Sequence, residues 1–348
     1  GRSASQVMRR ANCPAAEEAE AAAAAATVVA VQSSAAASEA VRRAMLAQAG
    51  VRLLESPAAC GHLVDALLLL GNGFDTEDDE VCKAVGGDGG GPPLLAVSCR
   101  RGGPPRHPPV LLAVAVSREG ASASAAAAAP TYLIDLARRP QVLSRGGLAR
   151  LFQSAEITKV FHYGADDAAE LSDTFALGRW RRVCDVGLGF ETLLERSGLP
   201  RRRVSLRALL QLTAAAAGSV ASPAVVEEDA AGHAYWQRRP LTLDMATEAA
   251  AAARAVLTVY GIGCRLGAAW GPPMADLSDC RRQAAATRRD EASTKSKKKL
   301  AGKAMKQQMA EPTPPLLLQL MAAECGGAAA VAADCQPVAR KLPFGILK

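Results

Sequence analysis

The chain has 348 residues, 49% of them hydrophobic but only 4% aromatic, and a formal net charge of +7 at pH 7. This length allows one large domain with tails or two small domains, and the mild positive charge suits a polyanionic partner without requiring one. No apolar run reaches the roughly 20 residues of a membrane-spanning helix, so no membrane partner is expected.

Alanine-rich low complexity dominates residues 1–50. These residues have little to bury, so the segment is predicted to be disordered or a loose helix. Because the chain does not begin with Met, we expect a processed chain, a fragment or an incomplete gene model. The acidic run EEAE (17–20) argues against an organelle transit peptide, since such peptides are poor in acids.

The first folded elements are predicted from residue 51 onward. VRLLE (51–55) is typical of a strand, and PAACGHLVDALLLL (57–70) of a helix that ends at the Gly-Asn-Gly of 71–73. An acidic, glycine-rich loop follows this helix. Three further strands are then predicted, separated by loops, at 94–99, 110–116 and 131–136.

Helices and short strands alternate in the next part of the chain. Strands are predicted at 159–163 and 183–186, and helices over 148–157, 167–177, 188–198, 205–212 and 238–264. The order is therefore three strands, a helix, a strand, a helix, a strand and then helices. This order predicts a mixed α/β sheet with antiparallel first strands and helices on its faces.

The tail after about residue 275 is rich in lysine and arginine, which outnumber its acids, and it includes Lys297, Lys298 and Lys299. Three interpretations stay open: an arm that binds phosphate backbones, a localisation signal, or a solvated charged helix. We therefore expect one folded domain over 51–270, followed by a basic, loosely ordered tail over 271–348.

The nine cysteines are widely spaced and form no Cys-x-x-Cys pair, which excludes zinc-ribbon and thioredoxin-like sites. Several of them lie within apolar runs, which favours a reducing compartment. We expect an intracellular protein, in the cytoplasm or nucleus in preference to an organelle. Trp180 and the run Arg201–Arg203 are interpreted either as a basic, aromatic nucleic-acid surface or as a solvated helix end.

Two adjacent aspartates, Asp166 and Asp167, stand where the strand KVFHY passes into a helix in KVFHYGADDAAEL (159–171). Such a position suits a helix cap, and it also suits a binding site, because α/β proteins place their sites at strand ends. The stretch is one of five blocks that occur in this order along the chain: TYLIDL, KVFHYGADDAAEL, VCDVGLGFETLLE, SLRALLQL and AYWQRRPLT.

Over about residues 51–263, these blocks resemble the DEDD-type 3′–5′ exonuclease domain family, in its ribonuclease D and Egalitarian-like branch. The resemblance implies a ribonuclease H-like fold and removal of nucleotides from the 3′ end of a nucleic acid. It also implies two divalent cations, Mg²⁺ or Mn²⁺, held by converging carboxylates, one activating water and the other stabilising the leaving oxygen.

The resemblance identifies Asp167 as the metal ligand of the second motif, with His162 in its usual place before it. The third motif departs from the family: Glu248 stands where the family has Tyr, and Ala252 stands where it has the metal-binding Asp. Alanine cannot bind a metal, and Glu248 lies one helical turn away.

The first motif has two registers, and both stay open. In the preferred register LLAVSCR (94–100) is the first strand, so Ser98 and Arg100 replace the family's Asp and Glu. An arginine there would repel the cations. In the other register Asp75 and Glu77 form an intact Asp-x-Glu, although the preceding Gly-Asn-Gly is a poor central strand.

At least one required carboxylate is missing in either register, so the sequence predicts a degenerate nuclease domain that binds nucleic acid, with RNA favoured. We expect His162, Arg239, Lys297, Lys298 and Lys299 to contact the nucleic acid. If the domain is instead an active exonuclease, Asp167, Asp75 and Glu77 are its catalytic metal ligands. A third hypothesis is a protein-interaction scaffold, with protein partners and without cofactor or nucleic acid.

Overall fold

The computed structural model describes residues 37–73, 91–103, 107–216, 232–265, 274–276 and 279. The chain divides into two units, Gly1–Ala49 and Gly50–Lys348. In the first unit, residues 37–48 form helix α1, where Arg42 and Arg43 both form ion pairs with Glu39. The remainder of the alanine-rich segment predicted to be loose lies outside the described residues, and so does most of the basic tail.

The second unit is built on one mixed sheet of seven strands, in the order β1-β4-β3-β2-β5-β6-β7. The strands are β1 Val51–Leu53, β2 Pro93–Arg101, β3 Pro109–Arg118, β4 Thr131–Asp135, β5 Thr158–Phe161, β6 Arg181–Asp185 and β7 Met274–Asp276. Strand β3 pairs antiparallel with β2 and β4, whereas β5 is parallel to both β2 and β6. The mixed sheet with antiparallel first strands is therefore confirmed, as the resemblance to a ribonuclease H-like fold implies.

Nine helices are described in this second unit, and they flank the sheet as predicted. They are α2 Pro57–Gly71, α3 Ala123–Ala127, α4 Pro140–Arg145, α5 Leu148–Gln153, α6 Ala165–Phe175, α7 Val186–Arg196, α8 Leu206–Ala216, α9 Gly232–Gln237 and α10 Leu243–Arg265. Helix α2 begins as its sequence indicates, since the Ser56 hydroxyl accepts the Ala59 N–H and Pro57 takes the first position. No helix of the described residues is long and apolar enough to cross a membrane.

The core lies on both faces of the central strands, which is why β3 reads as the nearly continuous apolar run VLLAVAV. Helices α2, α5 and α6 contribute to a hydrophobic cluster with residues of β2, β3 and β4. Helix α10 contacts the same three strands. Its many buried alanines, which include Ala249, Ala250 and Ala252, have short side chains that allow the helix to approach the sheet closely.

Several predicted boundaries are shifted for physical reasons. The helix predicted from residue 238 begins only at Leu243, because Thr242 caps it: the Met245 N–H donates to Thr242 Oγ1 at 3.2 Å. The helix predicted to run to residue 157 ends at Gln153, where Ser154 adopts an extended conformation before β5. Strand β7 was not predicted, since three residues carry no usable periodicity.

Candidate nucleic-acid cleft

A cleft of about 610 Å³ opens where β2 and β5 end, side by side and parallel. Ser98 lines it from β2, His162 from the turn after β5, and Asp167 from the first turn of α6. The loop before α8 contributes Arg203 to the same cleft. The structure therefore brings together His162, Asp167 and the Ser98 of the preferred first-motif register, at the strand ends where α/β proteins place their sites.

Asp167 lies in the first turn of α6 and is not the N-cap of that helix, which is Gly164. Asp167 instead accepts hydrogen bonds from Arg101, which donates its Nε–H to Asp167 Oδ1 at 2.8 Å and also donates through Nη2. The same guanidinium forms an ion pair with Glu170, with Nη1 2.6 Å from Oε2. Burial disfavours the charge on Arg101, but its bonds to Asp167 and Glu170 raise its pKa above the usual value.

Arg100, the next residue back along β2, is buried with 4% of its surface exposed. Its guanidinium carbon lies 5.1 Å from the centroid of the Trp236 ring, within cation–π distance. Glu248 of α10 lies near enough to interact with it: burial raises the pKa of Glu248, and the charge of Arg100 acts in the opposite direction. Two positions of the family's motifs, the Glu of the first in the preferred register and the Tyr of the third, thus hold an arginine and a glutamate that interact with each other.

The described cleft does not fit two divalent cations. In the preferred register, Ser98 and Arg100 stand in place of carboxylates of the family pattern, as Ala252 does in the third motif. The remaining carboxylate, Asp167, is bound to Arg101. No group of three or more His, Cys, Asp or Glu residues in the described part of the chain could hold a metal ion. Asp75 and Glu77, the ligands of the other register, lie outside the described residues.

His162 and Tyr163, in the turn after β5, hold in place the wall of the cleft that is formed by this turn and the loop before α8. His162 Nε2 lies 2.9 Å from the Val204 carbonyl oxygen, and the Tyr163 hydroxyl accepts the Val204 N–H at 3.2 Å. Both backbone groups of Val204 are therefore engaged by one turn, even though the two segments are about forty residues apart in sequence. Tyr163 reaches this position with a left-handed backbone, at φ 50°.

Asp185 is a buried carboxylate that holds this wall in place through hydrogen bonds, and this role was not predicted from the sequence. Its Oδ1 accepts the N–H groups of Tyr163, Gly187 and Leu188 at 3.0, 2.9 and 3.2 Å, so it both caps α7 and anchors the turn. Burial raises the pKa of Asp185 to about 6, against the opposing effect of these three hydrogen bonds. The signal was present in VCDVGLGF, where an aspartate directly precedes a helix.

Arg239, another predicted contact, lies within the described residues but does not line this cleft. Arg239 donates to both carboxylate oxygens of Asp135 and to the carbonyls of Val110, Trp236 and Arg238, so all its N–H groups are used within the domain. Trp180 is fully buried and stacks on Phe152 with ring centroids 4.0 Å apart, so its interpretation as a surface residue is wrong. Lys297, Lys298 and Lys299 lie outside the described residues.

No protein-family model matches the chain, and no curated protein matches it. Among solved structures, the catalytic core of RRP6 from Trypanosoma brucei is 15% identical with a TM-score of 0.38, over 61% of this chain and 45% of that one. RNase D from Trypanosoma brucei, in complex with the RNA U12, is 16% identical with a TM-score of 0.43, over 61% of each chain.

The exonuclease domain of Nibbler from Aedes aegypti is 15% identical with a TM-score of 0.39, over 61% of this chain and 86% of that one. The chain thus spans less than half of the RRP6 core and about three fifths of the RNase D structure. Likenesses of this size decide neither the chemistry nor the ligand of this chain, so any functional conclusion rests on the cleft.

Proposed function

We propose that the chain is a nucleic-acid-binding protein, with RNA favoured, whose 3′–5′ exonuclease-like domain is catalytically impaired. The observation that carries this proposal is the pairing of Arg101 with Asp167, the carboxylate that the resemblance assigns to a catalytic metal. A guanidinium takes the place of a cation there, and it also engages Glu170.

The electrostatics of the cleft support impaired metal chemistry. A divalent cation approaching Asp167 would have to displace Arg101, whose side chain is 17% exposed and which makes several contacts to the two carboxylates. A carboxylate that is already paired with a guanidinium should bind a metal more weakly than a carboxylate without such a partner.

Nucleic-acid binding is supported by the size of the cleft, the arginine in its wall and the net charge of +7. RNA is favoured over DNA because the sequence blocks resemble the ribonuclease D branch. The basic tail, with Lys297, Lys298 and Lys299, is proposed as a second contact for the phosphate backbone, and protein partners remain part of the proposal.

The experiment that tests this proposal compares binding and trimming by the full chain. Single-stranded RNA and DNA carrying a 5′ label are incubated with Mg²⁺ or Mn²⁺, with Asp167→Ala as the control. We expect salt-sensitive binding without shortening from the 3′ end. Metal-dependent trimming that disappears in Asp167→Ala would overturn the proposal and point to Asp75 and Glu77. Absence of both trimming and binding would favour the protein scaffold.

A further inference from the structure

The two arginines that line the described cleft, Arg101 and Arg203, carry their charges in different surroundings. Arg101 is bound to Asp167 and Glu170. Arg203 is exposed, and no carboxylate of the described residues forms an ion pair with it. Its neighbour Arg201 is paired with Glu195, so Arg203 is the cleft arginine whose charge remains available to an anion.

Tyr163 gives Arg203 a defined orientation. The guanidinium carbon of Arg203 lies over the Tyr163 ring, 4.4 Å from its centroid, which is within cation–π distance. A guanidinium that lies flat on a ring keeps its N–H groups at its edges, where they can donate two parallel hydrogen bonds. The face of the guanidinium can therefore contact Tyr163 while its edges donate hydrogen bonds to a ligand.

The Tyr163 ring is itself held on several sides. Its hydroxyl accepts the Val204 N–H, and its backbone N–H donates to buried Asp185. The ring packs so closely on Gly187 that a Cβ at that position would lie 2.7 Å from ring carbons. Its edge-to-face contact with His162, with centroids 4.5 Å apart, completes the support. Arg203 therefore rests on a platform that does not need to be ordered when a ligand binds.

We propose that Arg203, stacked on Tyr163, binds the phosphate backbone of the single-stranded nucleic acid held in the cleft. This inference rests on the proposed function and adds the residue that makes the contact and the group that it recognises. Phosphate oxygens match the paired donors of a guanidinium, and the fixed platform reduces the ordering cost on binding. Because phosphates are the same at every nucleotide, the contact is independent of base sequence.

The test measures binding of the full chain to a fluorescent oligouridine of about 12 nucleotides by anisotropy, across about 50 to 300 mM KCl. We expect Arg203→Ala to weaken binding about tenfold at low salt, as loss of a charge-assisted contact would. The slope of log K against log salt should become shallower by about 0.7, the value for one phosphate of a single strand.

Arg196→Ala is the matched control, since Arg196 is an exposed arginine in the last turn of α7 and does not line the cleft. It should change the affinity by less than about twofold. Arg203→Lys retains the charge but not the flat stack, so it should keep the salt slope and bind with intermediate affinity. Thermal melting of each variant verifies that the fold is intact.

Two results would overturn the inference, and they differ in what they leave standing. If the unmodified chain binds RNA and Arg203→Ala binds with the same affinity and salt slope, the contact lies elsewhere and the proposed function survives. If the unmodified chain binds neither RNA nor DNA at low salt, both the inference and the proposed function fail.

Discussion

The two walls of the cleft hold arginines of the same chemistry in opposite roles. On the wall formed by β2 and α6, Arg101 is neutralised by Asp167 and Glu170. On the wall formed by the turn after β5 and the loop before α8, Arg203 lies on an aromatic ring and faces solvent. In our proposal the first arrangement excludes cations, whereas the second presents a positive charge to anions. What surrounds a charged group therefore decides its function more than its identity does.

The largest effect is expected from Asp185→Asn, which removes the ionisable group beneath the second wall. Because burial raises the pKa of Asp185 to about 6 in the folded chain from 3.8, its contribution to stability is fully present below about pH 4 and is lost as the pH rises through about 6. The unfolding free energy of the unmodified chain should fall by about 2–3 kcal/mol relative to Asp185→Asn between these values.

Urea denaturation of both proteins at a series of pH values measures this difference. Asparagine cannot lose a proton and keeps an oxygen that can accept the N–H groups of Tyr163, Gly187 and Leu188. A difference that stays constant from pH 4 to pH 7 would show that Asp185 does not titrate in this range, and the account of its burial would be wrong.

The first wall is changed by Arg101→Ala, which leaves Asp167 and Glu170 close together without their cation. We expect a loss of about 1–2 kcal/mol of stability and a new response to metal, because two adjacent carboxylates attract a divalent cation. Millimolar Mn²⁺ should raise the melting temperature of Arg101→Ala, by about 1 kcal/mol of added stability, but not that of the unmodified chain.

Arg150→Ala provides the control for this metal response, because Arg150 pairs with Asp65 at an exposed site outside the cleft. It releases one carboxylate where Arg101→Ala releases two, so Mn²⁺ should have no effect on its melting temperature. If the unmodified chain responds to Mn²⁺ as strongly as Arg101→Ala does, the arginine does not compete with metal at Asp167.

The smallest effect concerns the hydroxyl of Tyr163, which accepts the Val204 N–H. Tyr163→Phe removes this hydrogen bond and should cost about 1 kcal/mol of unfolding free energy, measured by denaturation. It keeps the ring on which Arg203 stacks, so affinity for RNA should change by less than about twofold. A loss of affinity as large as that of Arg203→Ala would mean that the hydroxyl, and not the ring, positions the arginine.

Sequence patterns were sufficient for the first six strands of the sheet but not for β7, because those six are short apolar runs bounded by glycine, proline and polar residues. The grouping of Ser98, His162 and Asp167 in one cleft was implied by the resemblance in its preferred register, and not by the strand pattern alone. The pattern places each residue at or just after a strand end, but it does not tell which strands are neighbours.

The pairing of side chains could not be predicted in the same way. Arg101 and Asp167 are 66 residues apart, and nothing in the local sequence indicates that the guanidinium turns toward α6. Trp180 illustrates the opposite error: its neighbours in GRWRR are basic, yet its ring lies against Phe152 in the core. The composition of a short segment indicates whether its backbone lies near the surface. Whether one large side chain of that segment is buried depends on tertiary packing.

The close packing of α10 against the sheet limits which substitutions the domain can accept one at a time. An acid at Ala252 alone would place a carboxylate where 2% of the residue is exposed. An acid at Arg100 alone would lie near a second acid, Glu248. Each of these changes toward the family pattern should lower stability, so neither is accepted without a second, compensating substitution.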